Sequence, residues 1–328
     1  MKSTFVGVIS LAAFLAASPI QSAMSQSMAR IHRLAVLQLA SADAVRRSEG
    51  PFYRALKDLG YIEGKNIVIE RRYANGRADR LPALATELVR TKPEVIFAPT
   101  TPAAHAAKKA GGSIPIVIAL ASDPVGAGFA KSLARPGGNV TGTSNIQTQV
   151  HAKSMQMLVE MFPEVTRIGL LNAGDRLARL QLAAMGKSAA ALGVKVISLE
   201  AKRPDEYRNA LAAAQGRGIN AMVVVSNAQN GQNRRLIIDL AAQHGLHAIY
   251  PSSRWTDDGG LISYGVLSGP LYYRAASYVD KIFRGAMPAE LPIEQAARFE
   301  LVVNRKTARA FGIEIPRSLL VRADRLIE

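Results

Sequence analysis

The chain has 328 residues, of which 48% are hydrophobic and 20% charged, a composition typical of a folded globular protein that excludes wholesale disorder. This length allows two domains that each bury a core. The net charge of +16 raises nucleic-acid binding as an alternative, but Arg and Lys are scattered along the chain instead of forming one stripe with interleaved aromatic residues. We therefore expect no nucleic-acid partner and interpret the charge as a solvated basic surface with some attraction for anionic membranes or acidic partners.

The amino terminus has the pattern of a secretory signal peptide. Lys2 gives a positive start, residues 5–17 are apolar, and a Ser-Pro pair interrupts the run before small residues. The apolar run is shorter than the roughly 20 residues that cross a bilayer. We predict a signal peptide over residues 1–25, cleaved near Ala23 or Ser25. The chain has no cysteine, so we expect neither a disulfide nor a lipid anchor and predict a soluble periplasmic protein.

Short apolar runs alternate with helical patterns along the first part of the mature chain. Such alternation is typical of a parallel sheet that is covered by helices on both faces. We predict strands at residues 33–39, 66–70, 95–98, 115–120 and 140–145. We predict helices at residues 44–59 and 78–90 and a short helix at 126–133.

The same pattern then starts again, so a second α/β unit follows the first. We predict helices at residues 153–162, 177–192, 206–215, 234–243, 270–284 and from 306, and strands at 167–172, 194–199, 221–225, 247–250, 261–265 and 299–303. Because two α/β lobes are complete before the last elements, we expect those elements to cross between the lobes. This arrangement predicts a cleft with a hinge of several connecting strands, which closes around a ligand.

Polar residues follow two of the predicted strands in the stretch 93–128. Thr100 and Thr101 end the first apolar run, and Ser122 and Asp123 end the second. In parallel sheets, ligands bind outside the carboxyl ends of the strands. We predict that a threonine hydroxyl and the free amides of the next helix bind a ligand carboxylate, and that Asp123 binds a ligand ammonium group. For each residue, capping of the following helix is the alternative.

Six further candidates lie after strands or near a crossover: Gln38, Asn145, Asn172, Ser226, Asn227 and Tyr264. An amide both donates and accepts hydrogen bonds, and a tyrosine ring can line a cleft. For the asparagines turn formation is the alternative, and for the tyrosine it is core packing.

Sequence patterns that support catalysis are scarce. The five histidines show no metal-ligand spacing beyond a weak His244-x-x-His247, and neither a dinucleotide loop, a phosphate loop nor a nucleophile elbow occurs. We therefore expect no catalytic residues, no metal and no cofactor, although a Ser-His-Asp set assembled from distant positions stays open.

Several motifs resemble the substrate-binding proteins of one ABC-transporter family. In order along nearly the whole mature chain they are LGYIEGKN at residues 59–66, TPAA at 101–104, IPIV at 114–117, DPVG at 123–126, LARPGGNVTG at 133–142, SYG at 263–265, YVDKI at 278–282 and FELVVN at 299–304. The resemblance implies a type I periplasmic-binding-protein fold, which is α/β with two Rossmann-like lobes and a multi-strand hinge. We assign residues 31–144 and 265–294 to lobe I and residues 145–264 and 295–328 to lobe II.

The resemblance also implies a small organic solute in the cleft and an ABC permease of the inner membrane as the partner. Members of the family are tied to amino-acid uptake, with aromatic amino acids among the proposed solutes. We expect a monomer that is not an enzyme. The main alternative is a sensory module that presents its bound form to a membrane receptor or kinase. A repressor effector domain would need a DNA-binding helix-turn-helix where the signal peptide is predicted.

Overall fold

The structure is a computed structural model that describes residues 31–48, 50–174 and 176–328. The predicted signal peptide at residues 1–25 lies outside the described residues. Within the described ranges, no helix is both long enough and apolar enough to cross a membrane.

The first part of the chain alternates strands and helices, as predicted. Its elements are β1 (His32–Gln38), α1 (Ala42–Ser48), α2 (Gly50–Asp58), β2 (Ile67–Tyr73), α3 (Leu81–Arg90), β3 (Val95–Phe97), α4 (Thr101–Gly111), β4 (Ile116–Ala121) and β5 (Val140–Ser144). One turn of 3₁₀-helix, Ala78–Arg80, precedes α3.

The second part continues the alternation. Its elements are α5 (Gln147–Met161), β6 (Arg167–Asn172), α6 (Arg176–Ala191), β7 (Lys195–Glu200), α7 (Pro204–Gly216), β8 (Ala221–Val224), α8 (Ala228–Gln232), α9 (Arg234–Gln243), β9 (His247–Tyr250), α10 (Ser253–Asp257) and β10 (Ile262–Val266). The chain ends with α11 (Ser268–Phe283), β11 (Glu294–Gln295), β12 (Phe299–Asn304), α12 (Arg305–Ala310), α13 (Arg317–Arg322) and β13 (Arg325–Ile327).

These strands form two sheets. The first has the order β11-β5-β4-β3-β1-β2, and all of its neighbours pair in parallel. The second has the order β13-β12-β10-β9-β8-β6-β7 and is parallel except for the pairing of β10 with β12. The predicted α/β architecture with two parallel-sheet lobes is confirmed. We call the first sheet and its helices lobe I, and the second sheet and its helices lobe II.

The chain passes between the two sheets three times. It leaves lobe I after β5, returns after β10 because α11 packs on β4 and β5, and leaves again between β11 and β12. Backbone hydrogen bonds tie the crossings to their neighbours: Leu267 N donates to Arg298 O at 3.1 Å, and Ala296 N donates to Ser144 O at 2.8 Å. These three connecting segments correspond to the hinge that the sequence predicts. The predicted residue limits of each lobe stay a prediction.

Both sheets are buried on both faces, which explains the continuous apolar runs in β3 and β4. In lobe I, α2 and α11 cover one face, where Phe52 stacks on Phe97 with ring centroids 4.0 Å apart. Helices α3 and α4 cover the other face. Lobe II repeats this arrangement, with Tyr207 fully buried on one side and Met155 on the other. Each lobe therefore holds its strand ends in place with its own core.

Two predicted helices differ from the structure. The short helix at residues 126–133 is wrong, because this segment forms consecutive turns in which Gly128 has a φ of +71°. Helix α5 begins at Gln147, ahead of the predicted start at residue 153. The helix predicted at 44–59 corresponds to α1 and α2.

Candidate functional site

A cavity of about 400 Å³ lies between the lobes, at the carboxyl ends of the strands. Its walls come from the start of α4 and the loop after β4 in lobe I, and from α5 and α6 in lobe II. The lining residues are Thr101, Pro102, His105, Ser122, Asp123, Gly126, Ala127, Thr148, Leu180, Gln181 and Ala184. Three of the sequence-predicted residues, Thr101, Ser122 and Asp123, are brought together here.

The amino-terminal turn of α4 forms one wall of this cavity. Strand β3 ends before Thr100, which is the extended N-cap residue, and a proline occupies the first turn, where its missing N–H costs nothing. Thr101 Oγ1 accepts a hydrogen bond from the backbone N–H of Ser122 at 3.2 Å, so it joins α4 to the loop after β4. Within the described ranges, Thr100 Oγ1 is buried without a hydrogen-bond partner. The cap residue thus keeps an unused hydroxyl beside the helix start.

Asp123 caps the turn that follows β4. Its Oδ1 accepts a hydrogen bond from the backbone N–H of Gly126 at 2.9 Å, and its other oxygen lies over the same glycine. The carboxylate is exposed and lines the cavity. The structure therefore gives Asp123 a capping contact, which leaves the charge available on the cavity wall.

Asn145 lies at the first crossing and begins a chain of side-chain hydrogen bonds. Its Nδ2 donates to Gln147 Oε1 at 3.2 Å, and Gln147 Nε2 lies 2.9 Å from His151 Nε2. Gln147 and His151 are 5% and 1% exposed, and burial lowers the pKa of His151 to about 4. In the part of the chain that is described, Asn145 Oδ1 is buried and has no partner.

Asn172 supports the loop between β6 and α6. Its Nδ2 donates to Leu170 O at 2.8 Å and to Ser198 Oγ at 2.9 Å, while its Oδ1 accepts from Gly174 N at 2.7 Å. It is 1% exposed and does not line the cavity. The amide is thus already engaged in holding the loop that leads into α6.

Ser226 and Asn227 line a different, smaller cavity of about 160 Å³ at the ends of β8 and β9. Asn227 Oδ1 accepts from Asn230 N at 2.7 Å and thereby caps α8, whereas Ser226 is exposed. Arg234 and Arg254 lie in the same cavity, and Arg234 pairs with an aspartate. The structure does not bring these residues into the larger cavity.

Two candidates lie mainly within packed regions. Tyr264 is half-buried, stacks on Phe299 with ring centroids 5.9 Å apart and packs against the lobe II core, and burial raises its pKa. Gln38 is 2% exposed at the end of β1. Neither residue lines the interlobe cavity.

The lobes also touch at a second place. Gln229 Nε2, from α8 of lobe II, donates to the backbone oxygen of Gly76 in the loop after β2 of lobe I, at 3.2 Å. Gly76 has a φ of +81°, and a Cβ there would lie 2.5 Å from the side-chain nitrogen of Gln232. A larger residue at this position would be strained by the positive φ and would require the Gln232 side chain to move.

Sequence reasoning missed the lobe II wall of the cavity. Leu180 and Gln181 lie on α6, and Thr148 lies in the first turn of α5. The only signal for Leu180 is its position in an otherwise amphipathic helix, where it is 51% exposed. Across residues 31–48, 50–174 and 176–328, no group of three or more metal-ligating His, Cys, Asp or Glu side chains is found.

A sequence profile of the family described as ABC transporter substrate binding protein matches residues 33–327. A protein named tyrosine-binding protein, from Clostridioides difficile (strain R20291), is 25% identical over 282 residues, which are 86% of this chain and 81% of that protein.

Two solved structures share the fold. A conserved domain protein from Vibrio cholerae has a TM-score of 0.84 and 27% identity, and the match covers 90% of this chain and 100% of that one. An ABC domain in complex with L-Trp from Streptococcus pneumoniae has a TM-score of 0.82 and 23% identity, with the same coverage of both chains.

Proposed function

This chain belongs to the ABC transporter substrate-binding protein family, and from that premise we propose that its solute is an amino acid with an aromatic side chain. As a member it binds a small molecule and supplies it to an ABC permease. The proposal names the solute class. It is supported by a relative named for tyrosine binding and by a similar structure that holds L-Trp.

The observation that carries the proposal is the interlobe cavity, whose polar groups suit the two charges of an amino acid. On the lobe I side, the first turn of α4 offers free N–H groups and the hydroxyl of Thr101, which suit a carboxylate. The unpartnered hydroxyl of Thr100 is buried at the N-cap of the same helix. Asp123, on the cavity wall, is an acceptor that suits an ammonium group. Asn145, whose backbone N–H bonds to Ala121 O beside the lining residue Ser122, offers a second acceptor in its unpaired side-chain oxygen. A volume of about 400 Å³ is within the range of small-molecule sites, roughly 300 to 1,000 Å³.

The lobe II side of the cavity suits an apolar side chain. Leu180 and Ala184 contribute aliphatic surface, and Gln181 adds one amide that can meet a ring hydroxyl or an indole N–H. Because residues of both lobes line the cavity, an aromatic amino acid contacts both lobes at once. Such a solute favours the closed arrangement over the open one.

We also propose the finer points of location and assembly. The basic, apolar amino terminus and the absence of cysteine favour export to the periplasm as a free protein after cleavage near Ala23 or Ser25. Delivery to the permease by a monomer without bound nucleic acid fits this location. Mass spectrometry of the exported protein and its elution volume in size-exclusion chromatography test these two points.

Isothermal titration of the purified protein with all standard amino acids tests the proposal. We expect one saturable site for L-tyrosine or L-tryptophan and weaker binding of small aliphatic amino acids. Thr101→Val should weaken binding because it removes the hydroxyl but keeps the shape. Thr86→Val, on the exposed face of α3, is the matched control and should bind as the wild type does. Absence of heat and of thermal shift with every amino acid would refute the proposed solute class.

A further inference from the structure

We propose that His151, acting through Gln147, orients the side-chain amide of Asn145 so that its oxygen meets a hydrogen-bond donor of the solute. The two buried residues are then positioning residues, and Asn145 is the residue that selects for the ammonium group of an amino acid. This inference rests on the proposed function, because the donor it assigns belongs to that solute.

The three side chains form a continuous hydrogen-bonded path from the lobe II interior to Asn145, beside the cavity-lining residues. Gln147 and His151 are one helical turn apart in the first part of α5, so their side chains lie on the same face. Asn145 precedes the helix, and its backbone N–H donates to Ala121 O at 3.1 Å, next to the cavity-lining Ser122. Thr148, on the same first turn, lines the cavity. The path therefore ends at Asn145, next to the lining residue Ser122.

The hydrogen bonds along this path run in one direction, with Asn145 donating to Gln147 and Gln147 donating to His151. Gln147 accepts with its oxygen from Asn145 Nδ2, which leaves only its NH₂ group facing His151. An amide nitrogen donates and does not accept, so His151 Nε2 must be the acceptor. His151 is then neutral, with its proton on Nδ1, which is buried and has no hydrogen-bond partner within the described residues. Its burial, which lowers its pKa, acts in the same direction.

This direction determines which side-chain atom of Asn145 remains available to the solute. With its NH₂ group bound to Gln147, the remaining polar atom of the amide is Oδ1, an acceptor. Within the described part of the chain that oxygen is buried and has no partner, a costly state that a donor from the solute would relieve. If the amide were turned over, Asn145 would offer NH₂ and would suit a carboxylate instead. The histidine thus determines which end of an amino acid Asn145 can bind.

The backbone between Asn145 and Gln147 supports this arrangement. Ile146 has φ 42° and ψ 45°, in the left-handed region that a β-branched residue rarely adopts. This turn coincides with the passage from lobe I to lobe II. A strained residue persists where the surrounding structure holds it, and here the side chains on either side of it are hydrogen-bonded to each other.

The first test needs no ligand. The side-chain ¹⁵N chemical shifts of the histidines at pH 7 report which ring nitrogen carries the proton, and His151→Gln identifies the His151 signals by their loss. We expect the neutral Nδ1–H form. In Gln147→Glu the carboxylate can only accept, so the proton should move to Nε2. A wild-type His151 protonated at Nε2 would overturn the orientation that we assign.

The second test compares L-tyrosine with 3-(4-hydroxyphenyl)propionate, and L-tryptophan with indole-3-propionate, which lack the ammonium group. His151→Leu leaves Gln147 without its acceptor, so we expect affinity for the amino acid to fall about tenfold while affinity for the analogue changes little. His151→Gln and Gln147→Glu, which keep an acceptor where it is needed, should stay within about threefold of the wild type. If His151→Leu does not fold, Gln147→Leu removes the same link.

A double-mutant cycle separates positioning from simple loss of stability. Asn145→Asp offers an acceptor in either orientation, so His151→Leu should cost little further affinity in that background. An unchanged preference for the amino acid in His151→Leu would refute the inference and leave the proposed function standing. If no amino acid binds the wild type, the proposed function and the solute half of this inference both fail, and the ¹⁵N shifts still decide the orientation.

Discussion

The buried His151 predicts how the stability of the protein depends on pH. Burial lowers its pKa to about 4 in the folded state, from an ordinary 6.5 in the unfolded chain. As the pH falls below 6.5, the unfolded chain takes up a proton that the folded protein excludes, so stability is lost. Above about pH 7.5 the ring is neutral in both states and the effect vanishes.

The size of the effect follows from the two pKa values. At full effect, the gap between 6.5 and about 4 is worth about 3 kcal/mol, since one pKa unit corresponds to about 1.4 kcal/mol. Between pH 7.5 and pH 4.5 the group should contribute about 2.5 kcal/mol of lost stability, because some protonation of the folded state has begun. His151→Gln removes the titrating ring and can still accept from Gln147, so its stability should fall less over the same range.

Urea unfolding at four pH values between 7.5 and 4.5 measures this difference. Carboxylates whose pKa is lowered, such as Glu63 and Glu294, also lose stabilising contacts in acid, but they contribute equally to both proteins. The difference between the wild-type and His151→Gln curves isolates the histidine. Ser154→Ala, which changes a buried polar residue one turn further along α5, is the matched control and should shift stability without changing its pH dependence.

Parallel curves for the wild type and His151→Gln would refute the reasoning. They would mean that His151 titrates alike in the folded and unfolded states, which a ring with 1% exposure and no compensating charge should not do.

Three further changes test the packing and the contact between the lobes. Gly142→Ala should destabilise by about 3 kcal/mol or more in urea unfolding, since its Cβ would lie 2.1 Å from Ile118 O at a φ of +126°, whereas Gly138→Ala, with its nearest atom at 3.7 Å, should cost little. Tyr207→Phe removes the 2.7 Å bond to a buried asparagine oxygen and should cost about 1 to 3 kcal/mol by the same assay. Gln229→Ala should speed solute release about threefold in stopped-flow measurements, with unchanged stability, because its bond joins the two lobes.

Local patterns predicted most of the fold. The apolar runs of β3 and β4 are buried on both faces, and α9 and β9 have the limits that the sequence predicted, Arg234–Gln243 and His247–Tyr250. The elements that were missed are short. Helix α8 has five residues and β11 has two, so neither contains a full period of its pattern.

Sequence reasoning predicted residues on the lobe I side of the cavity but none on the lobe II side. Thr101, Ser122 and Asp123 line one cavity, as residues at the carboxyl ends of neighbouring parallel strands are expected to do, and their contact with a solute stays a prediction. Gln181 was not found, because its place in the cavity depends on how lobe II faces lobe I, which no local pattern encodes. Asn172 looked equivalent to Asn145, yet its amide is already bonded to Leu170, Ser198 and Gly174.

We expect the division of the cavity between the lobes to determine which solutes the protein responds to. A molecule that contacts only the start of α4 and Asp123 binds the open and closed arrangements equally, and it therefore shifts neither population. A molecule that also reaches Gln181 and Leu180 gains contacts that exist only when the lobes approach. Asn145 lies on the first crossing, so a donor that satisfies its oxygen acts at the hinge itself. Discrimination among solutes should therefore be larger in the closure step than in the first encounter with lobe I.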